Sequence, residues 1–472
     1  MNRISLCMIV RNEAKTIAAC LESARKAVDE IIIVDTGSTD GTVELCRSFE
    51  ADIYHYDWCD DFAKARNYGL ERATGDWILM LDADDELNVQ DRQTIRLLTE
   101  GEQTDAYFFL TENWVGDSSD PSILNYAQLR LFRNRPDFRY QGAIHEMIPA
   151  ISNARCKYVP IKIIHRGYLD TLVQERQKIS RNVAILRKEL ACCPDDPALL
   201  YYLGNEMLRM GQMEEAADFY EQALKQSRCD GEQRRCFLPE LPTKYAYCLW
   251  KREQGEKALQ VLQEAQAHAP KHTDLWFLLG NILFENGDLE GACTAFATCL
   301  SMGEAPPEYP SQAGCGSFQA AFFLGLIALE QRNMELAQRH FQAALRMNPQ
   351  HLPSITQLCT CFWIQGKYDQ VRGMLDRVSS PVKDMDWTRF LAILNQVIDS
   401  GRVDPEVCTQ SNVPAFFNCM AALAAFHKTD TVAALLCQLP HRLLDVAMQE
   451  QWFYEAMGRY WLRAAVCLER SK

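Results

Sequence analysis

Long apolar runs are missing from this sequence. No stretch approaches the roughly 18 apolar residues of a membrane-spanning helix. The nearest, Pro414 to Phe426, is short and broken by Asn418. No secretory leader is visible, because the opening MNRISLCMIVRNE holds only a brief apolar run before charges return, and so reads as a strand. Basic excess is absent as well. With 49 Lys and Arg against 63 Asp and Glu the net charge is −14, the wrong sign for a general nucleic-acid binder or an anionic-membrane binder. A local basic pocket for a diphosphate stays compatible with that balance. Nor do CxxC pairs recur at zinc-site spacing. The 19 cysteines are scattered, and Cys20, Cys248 and Cys299 fall on apolar helical stripes, as reduced core residues do. Together these absences predict a soluble, cytoplasmic chain with no nucleic-acid partner and no transmembrane segment.

What is there begins with an alternation. Ile4 to Val10 is a short apolar run, followed by a helical pattern from Glu13 to Val28. Glu30 to Val34 is a second run, with a helix starting near Asp40; Asp52 to Trp58 alternates like a strand; Phe62 to Ala73 is helical; Trp77 to Leu81 is a buried strand. This β-α-β-α order predicts an α/β N-terminal domain with a mixed, mostly parallel sheet, in which ligands sit at the carboxyl ends of strands. Strand-like runs follow at Ala106 to Leu110, Ala127 to Phe132 and Tyr158 to Ile164, and from about Leu172 only helical patterns remain.

The helical half repeats itself. Leu203-Gly204 is followed by Ala216, Tyr220 and Ala223; Tyr245-Ala246 by Ala258, Leu262, Ala265 and Pro270; Leu279-Gly280 by Ala292, Phe296 and Cys299; Leu324-Gly325 by Ala337, Phe341, Ala344 and Pro349. A weaker fifth set has Leu358, Gly366, Val371 and Leu375. Small residues at these offsets let two helices pack closely and the aromatic fills the groove, which is the tetratricopeptide pattern. Longer gaps at Cys229 to Pro242 and Gly303 to Ser317 read as inserted loops. The expected domains are therefore 1–171 (α/β), 172–384 (all-α repeat solenoid) and 385–472 (a helical extension or cap).

Chemistry concentrates at two strand ends. LDADDE, residues 81 to 86, closes the run WILML. A carboxylate pair with one spacer at the end of a buried strand, Asp82 and Asp84, can cradle Mn²⁺ or Mg²⁺, hard cations that bind carboxylates and phosphate oxygens together. Asp35 ends the second run, IIIVDTGSTDGT, where a carboxylate can accept from a base or a ribose hydroxyl; Ser38, Thr39 and Asp40 read mainly as helix-capping residues. Asn12-Glu13, after the first strand, reads on its own as a helix cap with a first-turn acid.

Taken together, SLCMIVRNEAKTIAACLES, DEIIIVDTGSTDGT and DFAKARNYGLERATGDWILMLDADDE resemble glycosyltransferase family 2, strongly over residues 4 to 90 and more weakly to about 170. The resemblance implies the GT-A, Rossmann-like fold and inverting transfer from a nucleotide-diphosphate sugar, with a lean to uridine. It places Val10 and Asp35 around the base, with Asn12 or Glu13 nearby, Asp82 near the ribose and metal, and Asp84 as the direct metal ligand. Asp61, Arg66 and Asn67 also match family-like positions. Arg66 is a diphosphate candidate, or else a helix-surface arginine. LRLFRN (129 to 134), YQGAIHEMI (140 to 148) and IIHRGY (163 to 168) further resemble bacterial peptide glycosyltransferases of the sublancin type and some lipopolysaccharide-core transferases. Inverting transfer needs a general base opposite the leaving group. Glu146 is the first choice, with His145 as the alternative base or as a residue that orients the acceptor. His165 is expected to complete the metal shell, and Arg130 or Arg133 to serve the nucleotide sugar. Asn205 and Glu206 either face an acceptor cleft or are ordinary solvated helix residues. A polypeptide acceptor bound through the repeats is the leading expectation. A lipid-linked or envelope saccharide acceptor, an inactive scaffold, and repeats serving a homodimer are the alternatives.

Overall fold

The structure, a computed structural model, describes residues 2–374 apart from 102, 116–121, 166–171, 230–237, 368 and 372. The expected C-terminal extension at 385–472, Leu375, and the Arg-Gly-Tyr end of the IIHRGY motif lie outside the described residues.

Strands β1 (Ile4–Val10), β2 (Glu30–Asp35), β3 (Asp52–His55) and β4 (Trp77–Met80) follow the four runs anticipated above. Helices α1 (Ile17–Ala24), α2 (Thr42–Ser48) and α3 (Phe62–Leu70) lie between them. β5 (Asp85–Leu87), α4 (Arg92–Thr99), β6 (Ala106–Val115), β7 (Ser122–Arg133) and β8 (Cys156–His165) complete this part. The sheet order is β3-β2-β1-β4-β7-β6-β8-β5. Pairing is parallel from β3 through β4, and antiparallel pairs at β4–β7, β6–β7 and β5–β8 make the rest mixed.

The near-continuous apolar strands are explained by burial on both faces. Along β1, Ile4, Leu6, Met8 and Val10 pack with Ile17, Cys20, Leu21 and Ala24 of α1, whereas Cys7 turns to the opposite face. Ile31 and Ile33 of β2 take the first face and Ile32 the second; Trp77 and Leu79 of β4 take the first, Ile78 and Met80 the second. The period of two therefore fixes the register, and with it which residue ends each strand.

The helical part runs α5 (Leu172–Cys192), α6 (Pro197–Arg209), α7 (Met213–Cys229), α8 (Leu241–Lys251), α9 (Gly255–His268), α10 (Thr273–Glu285) and α11 (Leu289–Met302). After the short strand β9 (Ser311–Gln312) it continues through α12 (Phe318–Glu330), α13 (Met334–Met347) and α14 (Leu352–Ile364). Asp196 caps α6, accepting from the Ala198 amide at 2.8 Å, and Pro197 occupies the first turn, where a missing N–H costs nothing. Packing explains the repeat offsets. A Cβ added at Gly204 would sit 2.5 Å from the Tyr220 ring, and Gly325 stands in the same relation to Phe341, so glycine is required where the aromatic knob enters.

By compactness the chain divides into residues 1–288 with 301–316, and 289–300 with the described residues from 317 on. Within the first unit, the expected insertion at 303–317 reaches the α/β sheet. Ser311 and Gln312 pair antiparallel with Asn125 and Leu124 of β7, and the Ala127 amide donates to the Pro307 carbonyl at 3.1 Å. This covers the part of β7 that extends beyond β4. Asp274 of α10 anchors the strand by accepting from the Gln312 amide at 2.7 Å.

Candidate functional site

The carboxyl ends of β1, β2 and β4 lie side by side in the sheet. Asp35, the last residue of β2, is fully buried and registers with Val10 of β1. Its carboxylate accepts from the Ser38 amide at 3.1 Å and the Gly37 amide at 3.3 Å, and His55 Nδ1 lies 3.1 Å away. Gly37 has φ of 102°, a conformation that favours glycine and lets the chain fold back over Asp35. Asn12 stitches the two loops together. Its Oδ1 accepts from the Thr39 amide at 2.8 Å and its own amide donates to Ser38 Oγ at 3.0 Å. The Glu13 amide donates to Thr42 Oγ1 at 2.7 Å and the Ala14 amide to Asp40 at 3.2 Å. Ser38 to Asp40 thus hold the β1 and β2 loops together rather than capping α2, whose N-cap is Gly41 with no side-chain cap bond.

Two strands away lies the acidic run. After β4 the chain makes a tight turn in which the Asp85 amide donates to the Asp82 carbonyl at 3.0 Å and the Asp82 amide to Asp85 Oδ2 at 2.8 Å. β5 then pairs with β8 so that Asp85 opposes His165. His165 Nδ1 donates to Asp85 Oδ1 at 2.9 Å and lies 3.4 Å from Asp84 Oδ1. Candidate ligand atoms of Asp84, Asp85 and His165 all fall within 4.8 Å of one another. Two carboxylates and an imidazole suit a cation of the Mn²⁺ type, and Mg²⁺ through the oxygens.

Asp82, expected among the metal ligands, is engaged elsewhere. Arg66 Nη2 donates to its Oδ1 at 2.9 Å and Arg130 Nη1 lies 3.5 Å from its Oδ2. Arg130 also pairs with Asp85 at 2.8 Å, and Arg66 bridges from Asp82 to the Glu146 carboxylate. Asp85, passed over in the sequence as the third acid of the run, stands beside Asp84 and His165 in its place. The turn explains the swap: it aims Asp82 back toward α3 and β7, where the arginines arise.

The electrostatics follow from these pairings. Burial opposes ionisation of Asp82, but the Arg66 and Arg130 guanidiniums outweigh it and hold the carboxyl well below the usual range. For Asp84 burial prevails. Aided by the neighbouring Asp82 and Asp85 charges, it raises the carboxyl despite His165. An acid pushed up by burial and by its acidic neighbours is what a divalent cation would relieve. His165 is raised in turn, its burial overcome by the Asp85 hydrogen bond and the charges of Asp84 and Asp85.

Residues 140–148 close the site from the other side. Asn67 of α3 and Tyr140 exchange two hydrogen bonds of 2.9 Å, and Asp61 caps α3 through the Lys64 amide. Gln141 and Met147 form an isolated antiparallel bridge, and between them Glu146 meets Arg66. His145 instead stacks on Tyr202 of α6, ring centroids 3.7 Å apart and 12° from parallel. Desolvation, with Lys244 and Arg209 nearby, lowers the His145 imidazolium below its ordinary range. The residue as a whole is exposed, so solvent screens those cations.

Two arginines read together in the sequence part company. Arg130 is buried among the acids, positioned by Gln128, whose Oε1 accepts from Arg130 Nη2 at 2.6 Å. Arg133 opposes Trp77, at the other end of β4, and donates to the Thr104 and Gly101 carbonyls. Three residues along a strand change both face and end, so Arg133 does not join the site. Neither Asn205 nor Glu206 is a solvated surface residue. Asn205 accepts from Tyr220 Oη at 2.8 Å and Lys244 Nζ at 3.0 Å, while Glu206 is buried and bonded to Asn182 at 2.8 Å and Arg209 at 3.0 Å.

Residues 5–158 match the family model for glycosyl transferase family 2. Over these residues the chain is similar to glycosyl transferase family 2. Behind this matched segment, residues 249–299 and 318–351 match tetratricopeptide-repeat models. A TPR repeat-containing protein of Synechococcus elongatus is 36% identical over 266 residues, covering 54% of this chain and 63% of the relative. The SPbeta prophage-derived glycosyltransferase SunS of Bacillus subtilis is 29% identical over 238 residues, covering 48% of this chain and 54% of SunS. An uncharacterized glycosyltransferase of Rickettsia felis is 33% identical over 107 residues, covering 23% of this chain and 38% of its own. The chain thus spans between about half and two thirds of the lengths of the first two of these relatives. No helix among the described residues is long and apolar enough to cross a membrane.

Proposed function

We propose that the chain is an inverting, metal-dependent glycosyltransferase that moves a sugar from a nucleotide-diphosphate donor, of the uridine type, to a peptide or protein side chain. The observation that carries this reading is the Asp84–Asp85–His165 cluster at the end of β4, next to an aspartate held by two buried arginines, in a domain similar to family 2.

Asp84 and His165 would hold Mn²⁺ or Mg²⁺, and Asp85, accepting from His165 Nδ1, would fix the tautomer whose lone pair sits on Nε2. Bound there, the cation supplies neutralising charge to a departing nucleoside diphosphate. The chain's own residues do the rest. Asp35 and Val10 receive the base and Asp82 lies near the ribose, two strand spacings (about 10 Å) away, a separation a nucleoside can span. Asn12 and Glu13 shape that pocket through the loop contacts. Arg130 fixes Asp82 and Asp85. Arg66 turns part of its charge to the donor phosphates, which loosens its hold on Glu146.

Glu146 then takes the proton of the attacking acceptor. His145 suits that role less, since protonating a ring stacked on Tyr202 near Lys244 and Arg209 is disfavoured. The polypeptide acceptor is supported by the repeats and by the resemblance of the 140–168 motifs to peptide glycosyltransferases.

A thermal-shift panel of nucleotide sugars, with and without Mn²⁺, tests donor binding. A ligand that binds only the folded state at a hundred times its Kd adds about 2.7 kcal/mol of apparent stability. The expected result is a rise in Tm for a uridine-diphosphate sugar that requires Mn²⁺. A flat response to every donor with either cation would refute the donor assignment. Mass spectrometry of peptide and saccharide acceptors incubated with that donor then decides the acceptor class.

A further inference from the structure

The loop that carries Glu146 is pinned from the helical part of the first unit. Its base is closed by the Gln141–Met147 bridge, with paired hydrogen bonds of 2.8 and 3.0 Å. The five residues between take an irregular path: Gly142 has φ of 95° and His145 φ of 52°. A left-handed histidine needs outside support. The Ala143 carbonyl accepts from the Phe62 amide at 2.8 Å, which ties the loop to the start of α3. Ile144 is buried against Ile185 and Leu186 of α5 and Leu203 of α6. His145 lies flat on Tyr202, one residue before Leu203 on α6. Residues 144 and 145 therefore face the first repeat helices, and the next side chain, Glu146, is sent the other way to Arg66.

We propose that Tyr202 is a positioning residue for the transfer reaction. Its ring holds His145 in the left-handed turn and so fixes the direction of Glu146, which makes the first repeat helices part of the catalytic centre rather than a separate docking module. The inference rests on the reading of Glu146 as the general base. It gives His145 a mechanical role, and it gives the repeat region a task that no acceptor has to be bound to perform.

The full-length chain tests it through Tyr202→Ala and Tyr202→Phe, with thermal unfolding as the folding control. Misplacing a reacting group by about 1 Å costs up to about a hundredfold in rate. Tyr202→Ala is expected to lower kcat about tenfold to a hundredfold while the donor KM stays near the wild-type value, and Tyr202→Phe, which keeps the ring, is expected to restore kcat. Wild-type kcat in Tyr202→Ala, or equal loss in Tyr202→Phe, overturns the proposal. Hydrogen exchange of the amides at 141–147 gives a second readout independent of turnover. Exchange is expected to quicken in Tyr202→Ala and not in Tyr202→Phe. Unchanged exchange in Tyr202→Ala overturns the positioning role whatever the enzyme's activity, whereas quickened exchange in a chain that transfers no sugar condemns only the base assignment.

Discussion

Replacing Glu146 by Gln is expected to lower kcat for sugar transfer by about 10²–10⁴-fold, the range a positioned general base supplies, with the donor Kd little changed. Glutamine keeps the shape and an oxygen that can accept from Arg66, so the 141–147 loop has no reason to move. What it loses is the ability to take a proton. Glu146 shares Arg66 with Asp82, and its side chain is about 10% exposed, so it is sheltered without being sealed. Initial rates of transfer, set beside donor binding measured by titration, separate the two effects. Full turnover in Glu146→Gln would remove the residue from the base role, and weakened donor binding with unchanged kcat would assign it to the donor site instead.

The largest stability effect is expected at Arg130. Its guanidinium pairs with Asp85, whose side chain is wholly buried, at 2.8 Å and with Asp82 at 3.5 Å. Arg130→Met would fill the volume but strip the buried Asp85 carboxylate of its guanidinium, leaving only His165 and the Asp82 amide as partners. Removing one partner of such a pair costs about 3–5 kcal/mol, because the charge left behind is uncompensated. Adding Asp85→Asn to Arg130→Met should recover part of the loss. Urea unfolding of the single and double variants, followed by the fluorescence of the tryptophans in the α/β region, measures both. A loss below about 1 kcal/mol, the range of exposed pairs, would mean that Arg130 is not holding the acidic turn together.

Much of this arrangement was legible in the residues themselves. Ile4–Val10, EIIIV and WILML are apolar on both faces, which only a covered parallel sheet explains, and that pattern located the strand ends where Asp35 and Asp82 stand. The repeat offsets were equally plain, because a glycine under an aromatic, as at Gly204 and Tyr220, is a packing requirement visible as spacing. The division of labour within LDADDE was not. Three aspartates in four residues look alike in one dimension, and only the Asp82–Asp85 turn and the pairing of Asp85 with His165, 80 residues away, separate them. Arg130 and Arg133 look equivalent in LRLFRN, though their three-residue spacing already puts them on opposite faces of a strand. Tyr202 carried no sequence signal, since a tyrosine on an amphipathic repeat helix is common. Its meaning comes from a contact with His145 that crosses the expected boundary at residue 171.

The most direct measurement is release of nucleoside diphosphate from uridine-diphosphate sugars by the full-length chain, with Mn²⁺, with Mg²⁺ and after chelation, in the wild type and in Asp84→Ala. Release is expected to need the cation, to stop with chelator and to be lost in Asp84→Ala. Release that persists without a divalent cation, or that is as fast in Asp84→Ala as in the wild type, would contradict it.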